Sequence, residues 1–363
     1  MRKLLRLFWT IRHLKPRQIA YQLYYRLTGR LTANDAGPQV QGKDSVRLKV
    51  PPLAIDPAVI NALPVRYTEA GFCFLHRTAP FSSVETIAWN YAELGKLWTY
   101  NLNYFEYLRQ PDLSPDLGER LIDSWIAQEA THHDGWEPYP ISLRLVNWLQ
   151  FYRSYGRAVP ARVQASVQRQ YRSLWRKVEY HLGGNHLLEN AIALSLTARY
   201  LNDAKGQRKA DRLLQAELRE QYLPDGAHFE LSVMYHLILL WRQLDLYSWL
   251  QPNELPLLPD TLRRQLAWAD YIITPDGRYP HFNDSTNGVA PDWAAVRAYA
   301  EALGLYRSSD ASLGLPPSGA RGLDQSSSDV SVKTGHDPAS DTSDELSAGY
   351  TRRKYASDER PLS

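Results

Sequence analysis

Apolar positions along the middle of the chain fall into helices of two alternating kinds. Over residues 160 to 181, Val163, Val167, Tyr171, Leu174, Trp175 and Val178 form one stripe, while Arg162, Arg169, Arg172, Arg176 and Lys177 lie off it, which predicts a helix with a single face in the core. Residues 186 to 202 (HLLENAIALSLTARYLN) are apolar nearly all round, which predicts an enclosed helix. The alternation repeats. Residues 206 to 222 place Ala210, Leu213, Leu214 and Leu218 on one face, and residues 231 to 250 (LSVMYHLILLWRQLDLYSWL) are again apolar on most sides. A preceding pair over residues 117 to 131 and 141 to 155, and a following pair over 258 to 273 and 290 to 304, keep a spacing of about 45 to 50 residues, the range of helix-pair arrays. Outer and inner helices in alternation predict an all-α fold, an incomplete α/α toroid over residues 83–307.

The flanks read differently. Residues 1–35 form a basic N-terminal unit whose amphipathic helix, over residues 3 to 29, either lies on a membrane surface or packs on the domain. It is not a secretory signal, because Arg6, Arg12 and His13 interrupt the apolar run before it reaches the roughly 7 to 15 residues that such a segment needs. The compartment stays unknown. Residues 36–82 are Pro-rich and irregular, a connecting segment with one strand pair expected around Phe72-Cys73-Phe74-Leu75. All Trp and all Phe precede residue 294, and beyond Arg307 only Tyr350 and Tyr355 are aromatic, so residues 308–363 are expected to be a disordered tail, or the product of a truncation or frameshift.

Charge and composition narrow the function. With 42 Lys+Arg against 39 Asp+Glu the chain is too balanced for a protein whose main partner is nucleic acid. A single cysteine, Cys73, excludes an internal disulfide and a thiolate metal cluster. No apolar run is long enough to cross a membrane as a helix.

Alternating helices also predict that every outer-to-inner loop emerges at one rim. Those loops read His132-His133-Asp134-Gly135-Trp136-Glu137-Pro138-Tyr139-Pro140, Leu182-Gly183-Gly184-Asn185, Leu223-Pro224-Asp225-Gly226-Ala227-His228-Phe229-Glu230 and Thr274 through Ser285, which includes His281, Asn283 and Asp284. The returns at 156 to 159, 203 to 205 and 251 to 256 contain no His and no Trp. A solvated loop has no need of Trp, Tyr and His together, so a site is expected at the first rim, with His133, Trp136, Asn185, His186, His228, Tyr235 and Asn283 converging on its mouth. Taken singly these residues keep ordinary alternatives: Asn185, after two glycines and before an apolar helix, suits an N-cap, His186 suits a hydrogen-bonded core histidine, and Tyr235 suits a buried tyrosine with a satisfied hydroxyl. No metal is expected from His132, His133 and His228, since adjacent histidines seldom point at one centre.

Five ordered strings carry a family resemblance: Trp98-Thr-Tyr-Asn-Leu-Asn-Tyr-Phe-Glu-Tyr, Gly135-Trp-Glu-Pro-Tyr-Pro-Ile-Ser-Leu-Arg-Leu-Val-Asn-Trp, Gly184-Asn-His-Leu-Leu-Glu-Asn, Leu223-Pro-Asp-Gly-Ala-His-Phe-Glu-Leu-Ser-Val-Met-Tyr-His and Pro275-Asp-Gly-Arg-Tyr-Pro-His-Phe-Asn-Asp-Ser. Together they resemble the toroid domain of the heparinase II/III-like polysaccharide lyases. The resemblance implies β-elimination on a uronate-containing acidic polysaccharide, glycosaminoglycan-like or alginate-like, often in the periplasm. It makes Asn185 and His186 the carboxylate-binding pair and Tyr235 the catalytic tyrosine. The same cleft is expected to hold the substrate through Asn103, Tyr104, His133, Trp136, Tyr139, Arg144, His228, Glu230, Asn283 and Asp284. In that family a C-terminal β-sandwich follows the toroid and supplies a further acid/base His or Tyr and, in many members, zinc. Residues after Arg307 supply neither, since His336 lies in a bare Gly-His-Asp-Pro stretch, and no cofactor is expected in the toroid. Two other readings stay open: a glycoside hydrolase using two of Asp134, Glu137, Asp225, Glu230 and Asp284, or a non-catalytic glycan-binding protein.

Overall fold

The computed structural model describes residues 14–28, 51–81 and 83–307. The start of the N-terminal helix, residues 29–50 and the tail 308–363 lie outside the described residues. Ten helices of eight residues or more are present among the described residues: α1 Pro16–Thr28, α2 Lys96–Tyr104, α3 Pro115–Gln128, α4 Pro138–Ser154, α5 Ala161–Lys177, α6 Gly184–Tyr200, α7 Ala204–Gln221, α8 Val233–Tyr247, α9 Leu257–Ile272 and α10 Trp293–Ala302. The inner helices α4, α6, α8 and α10 pack on one another in chain order, and the outer helices α5, α7 and α9 each back onto them. This is the α/α toroid arrangement that the alternating pattern predicts.

Local signals place the helix starts. Ser114 accepts from the Leu117 amide at 3.2 Å with Pro115 behind it, Asp203 accepts from Gly206 at 2.9 Å, and Ser232 accepts from Tyr235 at 3.2 Å. Burial sorts the two rows. On α5 the buried apolar residues are Val163, Val167, Tyr171 and Leu174, whereas α4 is buried from Pro140 to Ser154 without a break. Each fully buried leucine of these rows contributes about 1.5–3 kcal/mol.

One segment differs from the sequence expectation. The strand pair is part of a three-stranded antiparallel sheet, β1 Tyr67–Thr68, β2 Gly71–Phe74 and β3 Arg77–Ala79, in the order β1-β2-β3. Leu75 and His76 leave the strand and make its tight turn, both at positive φ (53° and 58°), as a hairpin turn with right-handed twist requires. Phe72 and Phe74 are buried and pack on Tyr107 and Trp98, so this stretch belongs to the core. The described part of the N-terminal helix packs on the toroid through Tyr21 and Tyr25, leaving Ile19, Leu23 and Leu27 exposed on its other side.

The inner row is not purely apolar. Arg109 makes a two-pronged bond to Asp245 at 2.6 and 2.8 Å, and Gln150 and Tyr299 bond the same carboxylate at 3.0 and 3.2 Å. Arg242 bonds Glu106 and Asn147 and stands 3.8 Å from Glu189. Charges this deep persist because they are paired and bonded, as the Asp245 carboxylate is on both oxygens.

Candidate active site

Side-chain contacts tie the four outer-to-inner loops to one another at one rim. Tyr139, in the first turn of α4, lies against the His186 ring with centroids 4.4 Å apart. Asn185 and His186 begin α6, and Asn185 reaches Glu230 of the third loop. Glu230 in turn offers its backbone carbonyl to Asn283 of the fourth loop at 2.9 Å, while the hydroxyl of Tyr235 donates to Asp284 at 3.2 Å. Ser232, the cap of α8, also donates to the Asp284 carbonyl at 2.8 Å. Asn185, His186, Tyr235, Tyr139, Glu230, Asn283 and Asp284 therefore form one linked group.

The start of α6 decides what Asn185 does. Gly183 holds the cap position at φ 70° and Gly184 follows at φ 54°. Both conformations suit glycine, and a Cβ on Gly184 would meet the Glu230 carboxylate at 2.9 Å. Asn185 therefore sits inside the first turn, so the N-cap alternative falls away. Its backbone N–H and its Nδ2 instead donate to the two oxygens of Glu230, at 3.4 and 3.5 Å. These are long bonds at a helix N-terminus, where the peptide dipoles favour an anion.

His186 is fixed from behind. Its Nδ1 bonds the Glu179 carboxylate at 3.0 Å, and Asn190 bonds the other Glu179 oxygen at 3.0 Å while accepting from the Glu179 amide at 2.8 Å. Burial pushes the Glu179 carboxyl up, but the charge and hydrogen bond of His186 and the bond from Asn190 outweigh it, so Glu179 stays ionised below the usual carboxylate range. The pairing sets the ring so that Nε2 is the nitrogen left for a ligand. Nearby Glu189 has the opposite fate. It is fully buried, neither oxygen has a hydrogen-bond partner, and burial pushes its carboxyl up to about 8 despite Arg242, so it is neutral at pH 7. Tyr139, whose hydroxyl feels burial first and then Glu189, Tyr104 and Tyr235, is held well above the usual phenol range and remains a hydrogen-bond donor.

Of the other residues expected in the cleft, Asn103, Arg144 and Trp136 are buried and bonded within the protein, while His228 and Tyr104 touch the linked group. Asn103 is fully buried, donating to the carbonyls of Trp89 and Thr99 and accepting from Trp125. Arg144 is fully buried as well, spent on Gln170 and the carbonyls of Asn103 and Gly135, with its guanidinium 4.0 Å from the centre of the Trp125 ring. Trp136 is buried and donates to the Glu129 carbonyl at 2.7 Å. These three shape the floor below the rim; as rings and charges they are not presented to a ligand. His228 is buried beneath Glu230, bonding Gln221 at 3.1 Å, and burial lowers it to about 3, which keeps it neutral. Through Gln221, which donates to the Gly184 carbonyl at 2.9 Å, it supports the start of α6. Tyr104 packs edge-on to Tyr139 at 5.7 Å, and His133 is exposed on its loop, where its amide bonds Asn90. Sequence reasoning missed Glu179, Glu189 and Asn190. The legible signal is an adjacent carboxylate and amide, Glu189 and Asn190, inside an otherwise apolar helix, with a further carboxylate, Glu179, in the loop before it.

A groove of about 560 Å³ on the outer wall, lined by Tyr171, Trp175, Arg172 and Arg176, is spacious but lacks this chemistry. Its one carboxylate, Asp203, is already bonded to Tyr171 and Gly206.

Residues 120–312 match the family model described as Heparinase II/III N-terminus. Among solved structures the chain is similar to heparinase III, at 17% identity and a TM-score of 0.45 over 78% of this chain and 50% of that one. It is also similar to the heparan sulfate lyase HepC from Pedobacter heparinus, at 16% identity and a TM-score of 0.38 over 74% of this chain and 46% of that one. The chain thus spans about half the length of either structure. No curated protein matches the sequence.

Proposed function

Because the chain belongs to the heparinase II/III N-terminus family, we propose that its rim site works on a uronate-containing polysaccharide by β-elimination. The observation that carries this reading is the Glu230 carboxylate lying against the backbone N–H and side-chain amide of Asn185 at the start of α6. A carboxylate already occupies the position that a uronate carboxylate would need, and its long bonds mark it as exchangeable. His186, set by Glu179, adds a second donor at the same end of the helix.

Those donors supply what the reaction demands. The proton at C5 of a uronate is weakly acidic until its carboxylate is hydrogen-bonded, because the electron pair left behind must spread into that group as an enediolate. Asn185 and His186 stabilise that charge. The pair then forms the C4–C5 double bond as the C4–O bond breaks, and the departing oxygen takes up a proton. A base takes the C5 proton and an acid gives one to the departing oxygen, and Tyr235, bonded to Asp284, serves as one of the two. Neutral Glu189 and Tyr139 add no negative charge beneath the carboxylate.

The test is the ultraviolet absorbance of an unsaturated uronate product over a panel of unsulfated and sulfated glycosaminoglycans, alginate and polygalacturonate. On any polymer that is cleaved, Tyr235→Phe should lower kcat greatly with little change in affinity, and Asn185→Ala should lower it about 100- to 1000-fold. Reducing ends released without the absorbance would identify a hydrolase and overturn the reading. Full turnover by Tyr235→Phe would remove Tyr235 from it.

A further inference from the structure

The helix α1 lies far from the site in sequence, yet its inward polar contacts converge on the segment that builds the site. Tyr25, itself buried, donates its hydroxyl to the Val178 carbonyl at 2.5 Å, and its ring meets that of His181 edge-on at 5.3 Å. The Tyr21 ring stacks on Tyr180 with centroids 4.4 Å apart, and the Arg17 guanidinium lies 5.7 Å from the centre of the same Tyr180 ring. Gln18 donates to the Leu182 carbonyl at 2.7 Å and stands so close to Gly183 that a Cβ there would meet its amide at 3.2 Å. Val178, Tyr180, His181, Leu182 and Gly183 form the loop that carries Glu179 and delivers the chain to Gly184, Asn185 and His186. Arg17 reaches the same place by a second route. It bonds the buried Glu217 at 3.0 Å, Gln221 donates to the other Glu217 oxygen at 2.8 Å, and Gln221 also holds the Gly184 carbonyl.

The loop has backbone bonds of its own from Tyr180, Leu182 and Gly183, but it joins α6 through two consecutive glycines at positive φ, Gly183 and Gly184, which leave its position on the helix poorly fixed. Its placement against the helix therefore depends on what packs on it. From one side that is Asn190 holding Glu179; from the other it is α1. We propose that α1 is a strap that fixes the loop over residues 178 to 183, making Gln18, Tyr21 and Tyr25 positioning residues for Glu179, Asn185 and His186. The proposal deepens the lyase reading, but only its kinetic consequence rests on that reading.

The substitutions Tyr25→Phe and Gln18→Ala remove two hydrogen bonds to the loop while leaving the Tyr21 stack and the Arg17–Glu217 pair to hold the helix down. In the double variant, amide hydrogen exchange of the segment 178–187 should rise at least tenfold, while that of the inner helices α4 and α8 stays at the wild-type level, and the His186 ring resonance should move in NMR spectra. On a cleaved polymer, kcat should fall about tenfold with KM held, since small misplacements of reacting groups act on the transition state. Restoring Tyr25 alone should recover part of both effects. Wild-type exchange across 178–187 together with an unmoved His186 resonance would overturn the strap. So would exchange that rises equally in α4 and α8, which would mark α1 as general ballast. Were the wild-type protein inactive on every polymer, the lyase reading would fall while the exchange and resonance measurements still decided the strap.

Discussion

Replacing Glu189 by Gln should raise stability at alkaline pH by several kcal/mol while changing little in mild acid. In the unfolded chain this carboxyl titrates near its ordinary 4.5, and in the folded protein burial holds it at about 8. A carboxyl raised on folding is destabilising above its unfolded value: as pH rises from 4.5 the unfolded state releases the proton and the folded state keeps it. At about 1.36 kcal/mol for each unit of pKa, the loss should be about 1 kcal/mol by pH 5 and about 4 kcal/mol by pH 8, levelling off above the folded value. Gln has nearly the same shape and does not titrate, so the wild-type-minus-variant difference isolates this one group. Urea unfolding of both proteins at pH 5, 6.5 and 8 measures it, with an expected growth of about 3 kcal/mol in favour of Gln. The opposing possibility is an ionised Glu189 held by Arg242 at 3.8 Å, in which case breaking the buried pair would favour Glu by about 3–5 kcal/mol at every pH above 5. A difference that is flat with pH, or that favours Glu at pH 8, would refute the neutral carboxyl and with it the uncharged floor of the site.

Three further expectations rest on the packing. Arg109→Ala should cost about 3–5 kcal/mol in urea unfolding, because Asp245 would be left buried without its two-pronged partner; a loss under 1 kcal/mol would mean that Gln150 and Tyr299 suffice. Gly206→Ala, which would ordinarily strengthen a helix by about 1 kcal/mol, should here destabilise by a similar amount, since the new Cβ would fall 2.1 Å from the Tyr171 hydroxyl and 2.3 Å from the Asp203 cap; a rise in melting temperature would show that this joint is slack. Burial lowers His132 and His236 to about 4 and His228 to about 3, so unfolding should take up about three protons as pH falls from 6 toward 4, and stability should drop steeply there; a proton uptake near zero by potentiometric titration would contradict their neutral burial.

How far the sequence carried the fold depends on what each pattern measures. Periodicity reports how many sides of a helix are dry, and that is enough to separate α5 from α6 and to number the rows. It does not report which polar residue on a dry helix faces a partner. Arg144 reads as a cleft cation because it lies about one turn from a rim loop, but a guanidinium on an all-buried helix must be bonded, and it is, to Gln170 and two carbonyls. Asn103 and Trp136 fail in the same way: their polar atoms serve backbone groups below the rim. His186, which follows the glycines at the start of α6, Tyr235, in the first turn of α8, and Glu230 and Asp284, on the rim loops, keep polar atoms at the rim, where they meet Glu179, Asp284 and Asn185.

Asn185 shows why the rest was not legible. An N-cap and an anion receptor use the same chemistry, an amide side chain beside unpaired helical N–H groups, and the string Gly-Gly-Asn-His fits either. The choice turns on one residue of register. With the cap at Asn185, its side chain would be folded back on the amides of α6 and spent there. With the cap at Gly183, two glycines absorb the positive φ values, the cap residue has no side chain to spend on the helix, and Asn185 is turned outward onto the Glu230 carboxylate. Gly184 cannot be exchanged freely for a larger residue in that arrangement, because the space a Cβ would need is where Glu230 sits. The unfilled cap and the outward amide are therefore one feature. A helix start whose N–H groups are left unspent by their own side chain is costly to stability and useful only where something negatively charged comes to them.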